Sequence, residues 1–148
     1  MMKVINFDMD GTLADFYGVE NWLDSLKKEH TKPYRIARPL VNMRKLSKEL
    51  NRLQGKGYII NILSWLPKNG SYCYNMRVAT AKVKWLKKHI GSFEFNNIYI
   101  LEYSTPKYLY SNGLLFDDEV KNRIAWNSHS GNLAFGVGNI LDILKALQ

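Results

Sequence analysis

The chain has few cysteines and no long apolar run, and each shortage excludes a class of protein. Cys73 is the only cysteine among 148 residues, so no disulfide can form within the chain, and a reducing compartment such as the cytoplasm is expected. Because Tyr72 and Tyr74 flank it, we expect Cys73 to have a packing role. No apolar stretch approaches the ~20 residues that cross a bilayer, and Met1-Met2-Lys3 does not resemble a secretory signal. We therefore expect no membrane partner.

Acidic residues are scarce in two parts of the chain. The sequence has 21 Lys and Arg against 13 Asp and Glu, a formal net charge of +8. Residues 27–56 hold ten basic residues against Glu29 and Glu49, and residues 77–88 hold five with no acid. Such segments are typical of solvated helix faces, but they also create a field that attracts polyanions or anionic substrates. The charge alone does not separate these two interpretations.

Apolar strands that alternate with amphipathic helices indicate the fold class. We predict strands at 4–7, 58–63, 97–101, 114–116 and 133–135, with helices near 22–29, 43–54, 74–90, 119–126 and 140–147. This order predicts right-handed crossovers and an α/β three-layer sandwich with a mostly parallel five-stranded sheet. Residues 30–39, which contain Pro33 and Pro39, are predicted to form a loop. The buried side of the long helix is predicted to carry Ala79, Val83, Leu86 and Ile90.

An acidic pair follows the first predicted strand. Asp8 and Asp10 come directly after the apolar run at 4–7, and Gly11 and Thr12 then turn the chain away. In open α/β sheets, ligands bind just outside the carboxyl ends of the strands. Two carboxylates at such a place are costly to bring together unless a positive group lies between them. A hard divalent cation that holds a phosphate is the obvious candidate.

Polar residues also stand at two other predicted strand ends. The second strand ends in Ser64, the fourth runs into Asp117 and Asp118, and Lys107 precedes the fourth. In a parallel sheet these ends lie along one rim. The set suits phosphoryl transfer, because a cation reduces the repulsion between a phosphomonoester and a carboxylate nucleophile. Lys107 and Ser64 can bind phosphoryl oxygens, and a second carboxyl two residues from the nucleophile can transfer the protons.

Four motifs in this order resemble those of the haloacid dehalogenase (HAD) superfamily of phosphohydrolases. The matching segments are Asp8-Met9-Asp10-Gly11-Thr12, Ile62-Leu63-Ser64, Lys107, and the pair Asp117-Asp118 with Asn122 four positions on. They cover residues 4 to 122, which is most of the chain. The resemblance implies a single Rossmann-like HAD-type domain over residues 1–148, with a very small cap or flap around residues 15–38. It also implies Mg²⁺-dependent hydrolysis of phosphomonoesters through an aspartyl-phosphate.

The resemblance implies a role for each matched acid near the metal. Asp8 would be the nucleophile and a ligand of Mg²⁺. Asp10 would be the general acid and base, with its backbone carbonyl on the metal. Asp118 would supply the remaining protein ligand, and Asp117 would hold Lys107 or a metal-bound water.

The resemblance also implies how the phosphate is held. Ser64, Lys107 and the backbone N–H near Trp65 would bind the phosphoryl oxygens, and the Trp65 side chain could face the substrate. Asn122 would either support the metal ligands or lie on a helix surface. Taken singly, Ser64 could simply end a strand, Lys107 could be a surface lysine, and the acidic pair Asp117-Asp118 could cap a helix.

Two narrower resemblances bear on the substrate. Residues 8–16 resemble the start of the 5′(3′)-deoxyribonucleotidases, and Lys82, Trp85 and Lys88 fit the Lys-x-x-Trp-x-x-Lys pattern of that group. This likeness implies a nucleoside monophosphate as the small phosphorylated substrate. That group has a larger helical insert between its first two motifs than this chain has.

The small cap and the basic segments instead resemble the phosphatase half of phage-type polynucleotide kinase/phosphatases. That likeness implies a polynucleotide 3′-end, or another macromolecular phosphate, as the alternative substrate. A third hypothesis is a non-catalytic module that binds a phosphorylated partner.

Overall fold

A sheet of five parallel strands forms the centre of the fold in the computed structural model, which describes residues 3–148. The strands are β1 (Val4–Phe7), β2 (Ile59–Trp65), β3 (Asn97–Leu101), β4 (Leu114–Phe116) and β5 (Leu133–Phe135). They lie in the order β3-β2-β1-β4-β5, and every pairing within this sheet is parallel. The predicted α/β class and its five strands are confirmed.

Within residues 3–148, six helices surround the sheet. They are α1 (Trp22–Lys27), α2 (Lys32–Ile36), α3 (Met43–Gly55), α4 (Tyr72–Ile90), α5 (Val120–Asn127) and α6 (Ile140–Ala146), and a short 3-10 helix covers Lys107–Leu109. α3 packs against both α4 and α6, whereas α5 packs against β5 and the 3-10 helix. Among residues 3–148, no helix is long and apolar enough to cross a membrane.

The sheet divides the apolar core into two layers. Successive strand residues point to opposite faces, so neighbouring positions belong to different layers. Ile62 packs in the cluster that α3, α4 and α6 cover, whereas Leu63 packs in the cluster that contains Trp126 of α5. In β4, Phe116 packs in the first of these clusters and Leu115 packs in the second. Helices therefore cover both faces, as expected for a three-layer sandwich.

A ladder of asparagines fixes how the strands align. Asn6 lies opposite Asn61, and Asn61 lies opposite Asn97. The Asn61 amide donates to Asn6 Oδ1 over 3.1 Å, and the Asn97 amide donates to Asn61 Oδ1 over 2.9 Å. Asn6 donates in turn to the carbonyl of Leu114 over 2.9 Å. Because a shifted register would leave the buried amides of Asn6 and Asn61 unpaired, the ladder helps set where β1, β2 and β4 end.

The predicted loop at residues 30–39 is wrong in its middle, where α2 lies. Pro33 occupies the first turn of this helix. A proline is tolerated there because the first N–H groups of a helix have no intrahelical partner. The two prolines therefore mark a helix start and the chain beyond its end, rather than a continuous loop.

The predicted buried side of α4 is also partly wrong. Leu86 and Ile90 are buried as expected, but Ala79 and Val83 are only half-buried. The inner face runs instead through Tyr74, Val78, Ala81, Lys82 and Trp85. The apolar pattern predicted the wrong buried face of α4 because Lys82, a charged residue, occupies one of the positions on the buried side. Cys73 lies on the outer side of the same helix and is exposed, so its predicted packing role is wrong.

Candidate active site

The carboxyl ends of β1, β2 and β4 bring the predicted residues to one edge of the sheet. Asp8 directly follows β1, and its N–H donates to the Phe116 carbonyl at the end of β4 over 2.9 Å. Asp117 follows β4, and Ser64 lies near the end of β2. Parallel pairing therefore collects residues that are far apart in the sequence, as the strand-end pattern predicted. Their chemical roles remain predictions.

The turn after β1 depends on Gly11 and Thr12. Gly11 has φ +82°, and a Cβ at this position would overlap the Asp118 carboxylate, so only glycine fits without displacing that group. The Thr12 hydroxyl donates to Asp8 Oδ2 over 3.0 Å and accepts from the Asp118 N–H over 3.2 Å. This short turn therefore fixes Asp8 and Asp118 relative to each other.

Lys107 is buried between two carboxylates. Its Nζ lies 3.0 Å from Asp8 Oδ1 and 2.7 Å from Asp117 Oδ2. Burial acts to lower the pKa of Lys107, but the two carboxylates outweigh burial, and the pKa is raised. Lys107 is therefore an ammonium ion at neutral pH, and the surface-lysine alternative is excluded.

Asp117 is fully buried and its oxygens are already occupied. Oδ2 accepts from Lys107 and from the Asn122 amide over 3.1 Å, and Oδ1 accepts from the Glu119 N–H over 2.9 Å. Burial, followed by the nearby Asp8 charge, raises the pKa of Asp117 to about 6. Asp117 thus holds Lys107 in place, and Asn122 holds Asp117.

Three carboxylates are close enough to hold one cation. One oxygen from each of Asp8, Asp117 and Asp118 lies within 4.8 Å of the others. Asp118 lies half-buried in the cavity wall, and burial together with the neighbouring Asp8 and Asp117 raises its pKa to about 8. Crowded carboxylates favour a proton or a cation between them. An all-oxygen set of acids fits Mg²⁺, which prefers hard carboxylate ligands.

Lys82 lies in the site although none of the four HAD motifs contains it, and the sequence marked it only as part of the Lys-x-x-Trp-x-x-Lys pattern. Its side chain is only 1% exposed, and Nζ lies 2.9 Å from Asp10 Oδ2. The same ammonium lies 2.6 Å from Ser64 Oγ and 2.6 Å from the Trp65 carbonyl. One signal was present in the sequence, because Lys82 stands in helical register with the apolar residues Val78 and Trp85.

Asp10 has surroundings that differ from those of Asp8. Its side chain keeps 20% of its surface exposed, and its carboxylate accepts from Lys82 rather than Lys107. Burial raises the pKa of Asp10, while the charge of Lys82 acts in the opposite direction. The two acids at the end of β1 are thus each paired with a different buried lysine.

A cavity of about 720 Å³ opens above the acids, and six of the residues that line it are aromatic. One wall comes from the segment around α1 and α2, which contributes Phe16, Tyr17, Trp22 and Tyr34. Two further aromatic residues of the lining are Trp65, at the end of β2, and Tyr103, after β3, whose rings lie 5.4 Å apart. Lys27 and Lys68 also line this cavity.

The α1–α2 segment is tied to the start of α4. The Ser71 N–H and hydroxyl donate to the two carboxylate oxygens of Glu29 over 2.7 and 2.8 Å. These hydrogen bonds lower the pKa of Glu29. The Tyr74 hydroxyl donates to the His30 carbonyl over 2.9 Å. These contacts hold the predicted flap beside the cavity.

Comparisons with known proteins identify the fold. A scan against models of protein families found no match, and a search of curated proteins found none either. A solved structure of D,D-heptose 1,7-bisphosphate phosphatase from Burkholderia thailandensis matches with a TM-score of 0.56 at 9% sequence identity. The match covers 97% of this chain and 96% of that chain. At this identity the likeness shows a shared fold, and it confirms the predicted Rossmann-like architecture.

Proposed function

We propose that this chain is a HAD-type, Mg²⁺-dependent phosphomonoester hydrolase that acts on nucleoside monophosphates. The observation that carries the proposal is the pairing of Asp8 with Lys107 and of Asp10 with Lys82, beneath an aromatic cavity. A phosphatase that shares the fold over nearly its whole length supports the reaction class. The proposed location is the cytoplasm.

In the first step, a carboxylate oxygen of Asp8 attacks phosphorus while the bond from phosphorus to the leaving oxygen breaks. Asp10 gives its proton to that oxygen, and an aspartyl-phosphate remains on Asp8. In the second step, Asp10 takes a proton from water, and the water oxygen attacks phosphorus while the bond from phosphorus to the Asp8 oxygen breaks, so that inorganic phosphate and the free Asp8 carboxylate result. The raised pKa of Asp10 suits a carboxyl that must both donate and accept a proton.

Asp8, Asp118 and the backbone carbonyl of Asp10 are the proposed ligands of Mg²⁺. Asp117 is the weaker candidate because both of its oxygens already accept hydrogen bonds. When bound, Mg²⁺ would neutralise charge between the phosphate and the Asp8 carboxylate.

The two lysines have different proposed tasks. Lys107 lies beside Asp8 and lines the cavity, so it can neutralise charge on the phosphoryl group. Lys82 uses its three N–H groups on Asp10, Ser64 and the Trp65 carbonyl, so it positions protein groups rather than substrate. Ser64 Oγ accepts from Lys82, which leaves the Ser64 proton for another acceptor, but Ser64 is buried and does not line the cavity, so its role in binding phosphate rests on the motif alone.

The shape and chemistry of the cavity support the nucleotide assignment. Its volume of about 720 Å³ falls within the range of small-molecule sites. Rings of Tyr17, Trp22, Trp65 and Tyr103 offer planar surfaces for stacking a base. Lys27 and Lys68 line the cavity and can contact an anionic substrate, and Glu29 and Glu119 line it as well.

A phosphate-release screen tests this proposal. The substrates are an aryl phosphate, nucleoside 5′- and 3′-monophosphates in deoxy and ribo forms, a sugar phosphate, and 3′-phosphorylated oligonucleotides. We expect Mg²⁺-dependent release from the aryl phosphate and the nucleoside monophosphates, and loss of both in Asp8→Asn. Turnover of oligonucleotides alone would favour a polynucleotide 3′-end phosphatase. No turnover of any substrate would favour a non-catalytic phosphate-binding module.

A further inference from the structure

The two basic segments of the sequence lie side by side in the fold. α2 packs against α4 along much of its length. Near one end, Arg77 Nη2 donates to the Glu29 carbonyl over 3.3 Å. Two helical turns further along α4, Trp85 Nε1 donates to the Ala37 carbonyl over 2.8 Å. Residues 29–38 therefore run alongside residues 77–85.

This packing creates one exposed basic surface, which we call the α2–α4 face. Its members are Lys32, Arg35, Arg38, Arg77, Lys84, Lys87 and Lys88, and all seven are exposed. Within residues 3–148, none of the seven forms a salt bridge. Of the two acids of segment 27–56, Glu49 pairs with Arg52, whereas Glu29 accepts from Ser71 and also lies near the charge of Arg77. The charge of this face is therefore available to a partner.

The cations on α4 form a row rather than a cluster. Arg77, Lys84 and Lys88 are seven and four residues apart, so they share one side of the helix. At 1.5 Å per residue the row is about 16 Å long. α4 carries no acidic residue. A linear array of this kind matches a chain of evenly spaced negative charges.

Nucleic acid fits the α2–α4 face better than two other partners do. A second copy of this chain would bring the same positive charge to the same face, which opposes pairing. An anionic membrane is bound by basic surfaces beside an apolar side that inserts, but the large exposed apolar residues of α4, Tyr72 and Met76, lie about 100° or more around the helix from the centre of the basic row. We propose that the α2–α4 face binds the phosphate backbone of single-stranded nucleic acid.

The face also reaches the cavity. Glu29 lines the cavity, and its carbonyl accepts from Arg77 at the end of the basic row. A strand lying along α4 would therefore place its end near the aromatic walls. Base stacking on such walls is largely independent of sequence. Backbone contacts would make the binding sequence-independent and strongly dependent on salt.

The test is fluorescence anisotropy with a labelled thymidine oligonucleotide longer than a single-strand site of ~4–16 nucleotides. The oligonucleotide ends in a 3′-hydroxyl and the buffer contains EDTA, so binding is measured independently of any phosphatase activity. The wild type is compared with Lys84→Glu/Lys88→Glu and with the control Lys121→Glu/Lys145→Glu, which changes the net charge equally. Circular dichroism checks that both double variants are folded.

We expect the Lys84→Glu/Lys88→Glu variant to bind at least tenfold more weakly and to show a salt slope smaller by about 0.7 per lost phosphate contact. The control variant should bind like the wild type. Equal losses in the two variants, or no binding by the wild type, would overturn the proposal. Poly-glutamate or phosphatidylserine vesicles that bind as tightly as the oligonucleotide would overturn it in favour of an acidic protein or a membrane.

Discussion

Two buried lysines separate the surroundings of the two carboxylates at the end of β1. Lys107 links Asp8 to Asp117, whereas Lys82 links Asp10 to Ser64. Acids with different neighbours can carry out different tasks at one pH. This separation supports a nucleophile at Asp8 and proton transfer at Asp10.

Replacing Lys82 with methionine should impair Asp10. The positive charge of Lys82 lowers the pKa of Asp10, so the pKa of Asp10 should rise further when Lys82 is replaced. Because Asp10 must be deprotonated to activate water, the acidic limb of kcat should move to higher pH. We also expect kcat for a nucleoside monophosphate to fall by on the order of 10²-fold.

The measurement is a pH–rate profile of Lys82→Met beside Lys84→Met, which alters an exposed lysine on the same helix. The Lys84 variant should retain the wild-type profile. An unshifted acidic limb in Lys82→Met would exclude the proposed influence of Lys82 on Asp10.

Residue patterns predicted the proximity of Asp8, Ser64, Lys107 and Asp118 because each stands at or beside a strand end. They did not predict the contact of Lys82 with Asp10, because Lys82 lies in the middle of α4 and not at a strand end. A lysine on a helix is usually assigned to its solvated side. Only the packing of α4 on the sheet shows that this one points inward.

At the scale of the elements, the asparagine ladder aligns the strands whose ends carry the site. Asn61 is buried and bonds to neighbours on both sides, whereas Asn97 lies at the exposed edge of the ladder. Asn61→Ala leaves the buried Asn6 side chain without one partner and should lower the free energy of unfolding by about 1–3 kcal/mol. Asn97→Ala should cost less.

Urea unfolding of both asparagine variants measures this difference. Equal midpoints for Asn61→Ala and the wild type would show that the ladder does not stabilise the sheet. The ladder was not apparent in the sequence, since three separate asparagines become one feature only when the register is known.

The sequence patterns predicted where helices begin and end more accurately than they predicted which side of a helix is buried. The starts and ends of α3, α5 and α6 lie near their predicted positions, because turn residues and apolar spacing act locally. The inner face of α4 depends on which neighbours cover it. α2 was missed because the prolines around it are compatible with both a loop and the first turn of a helix.

At the scale of the whole molecule, the crowded acids should make metal-free stability depend on pH. The pKa of Asp118 rises from 3.8 to about 8, and that of Asp117 rises from 3.8 to about 6. A raised pKa in the folded state means that folding is favoured by protonation. The protonated carboxyls contribute fully to the free energy of unfolding at pH values below the ordinary pKa of 3.8. That contribution is lost as pH increases through the folded-state pKa.

We therefore expect the free energy of unfolding in EDTA to decrease between about pH 4 and pH 8. Mg²⁺ should increase stability most at pH 8, where the carboxylates would otherwise be charged and crowded. Urea unfolding with and without Mg²⁺ measures both effects. Asp118→Asn should lose most of the decrease above pH 6 and most of the Mg²⁺ stabilisation, and a wild-type response in this variant would contradict the assignment of Asp118.

The cavity could not be anticipated from any single segment. Its walls come from the chain after β1, from α1 and α2, and from the loops after β2 and β3. The sequence marked residues 15–38 as a small flap, but only the tertiary structure shows aromatic residues from separate loops facing one another.

In the proposed mechanism, Asp8 carries the phosphoryl group during turnover. Asp10→Asn should keep its affinity for Mg²⁺, because the proposed metal contact of Asp10 is through its backbone, yet it should be unable to activate water. Mixing this variant with p-nitrophenyl phosphate, whose leaving group needs little protonation, should therefore trap the intermediate. Intact-mass spectrometry after an acid quench is the direct measurement. Asp10→Asn should gain the mass of one phosphoryl group, whereas Asp8→Asn/Asp10→Asn should not. An equal adduct in both variants, or none in either, would contradict the role of Asp8.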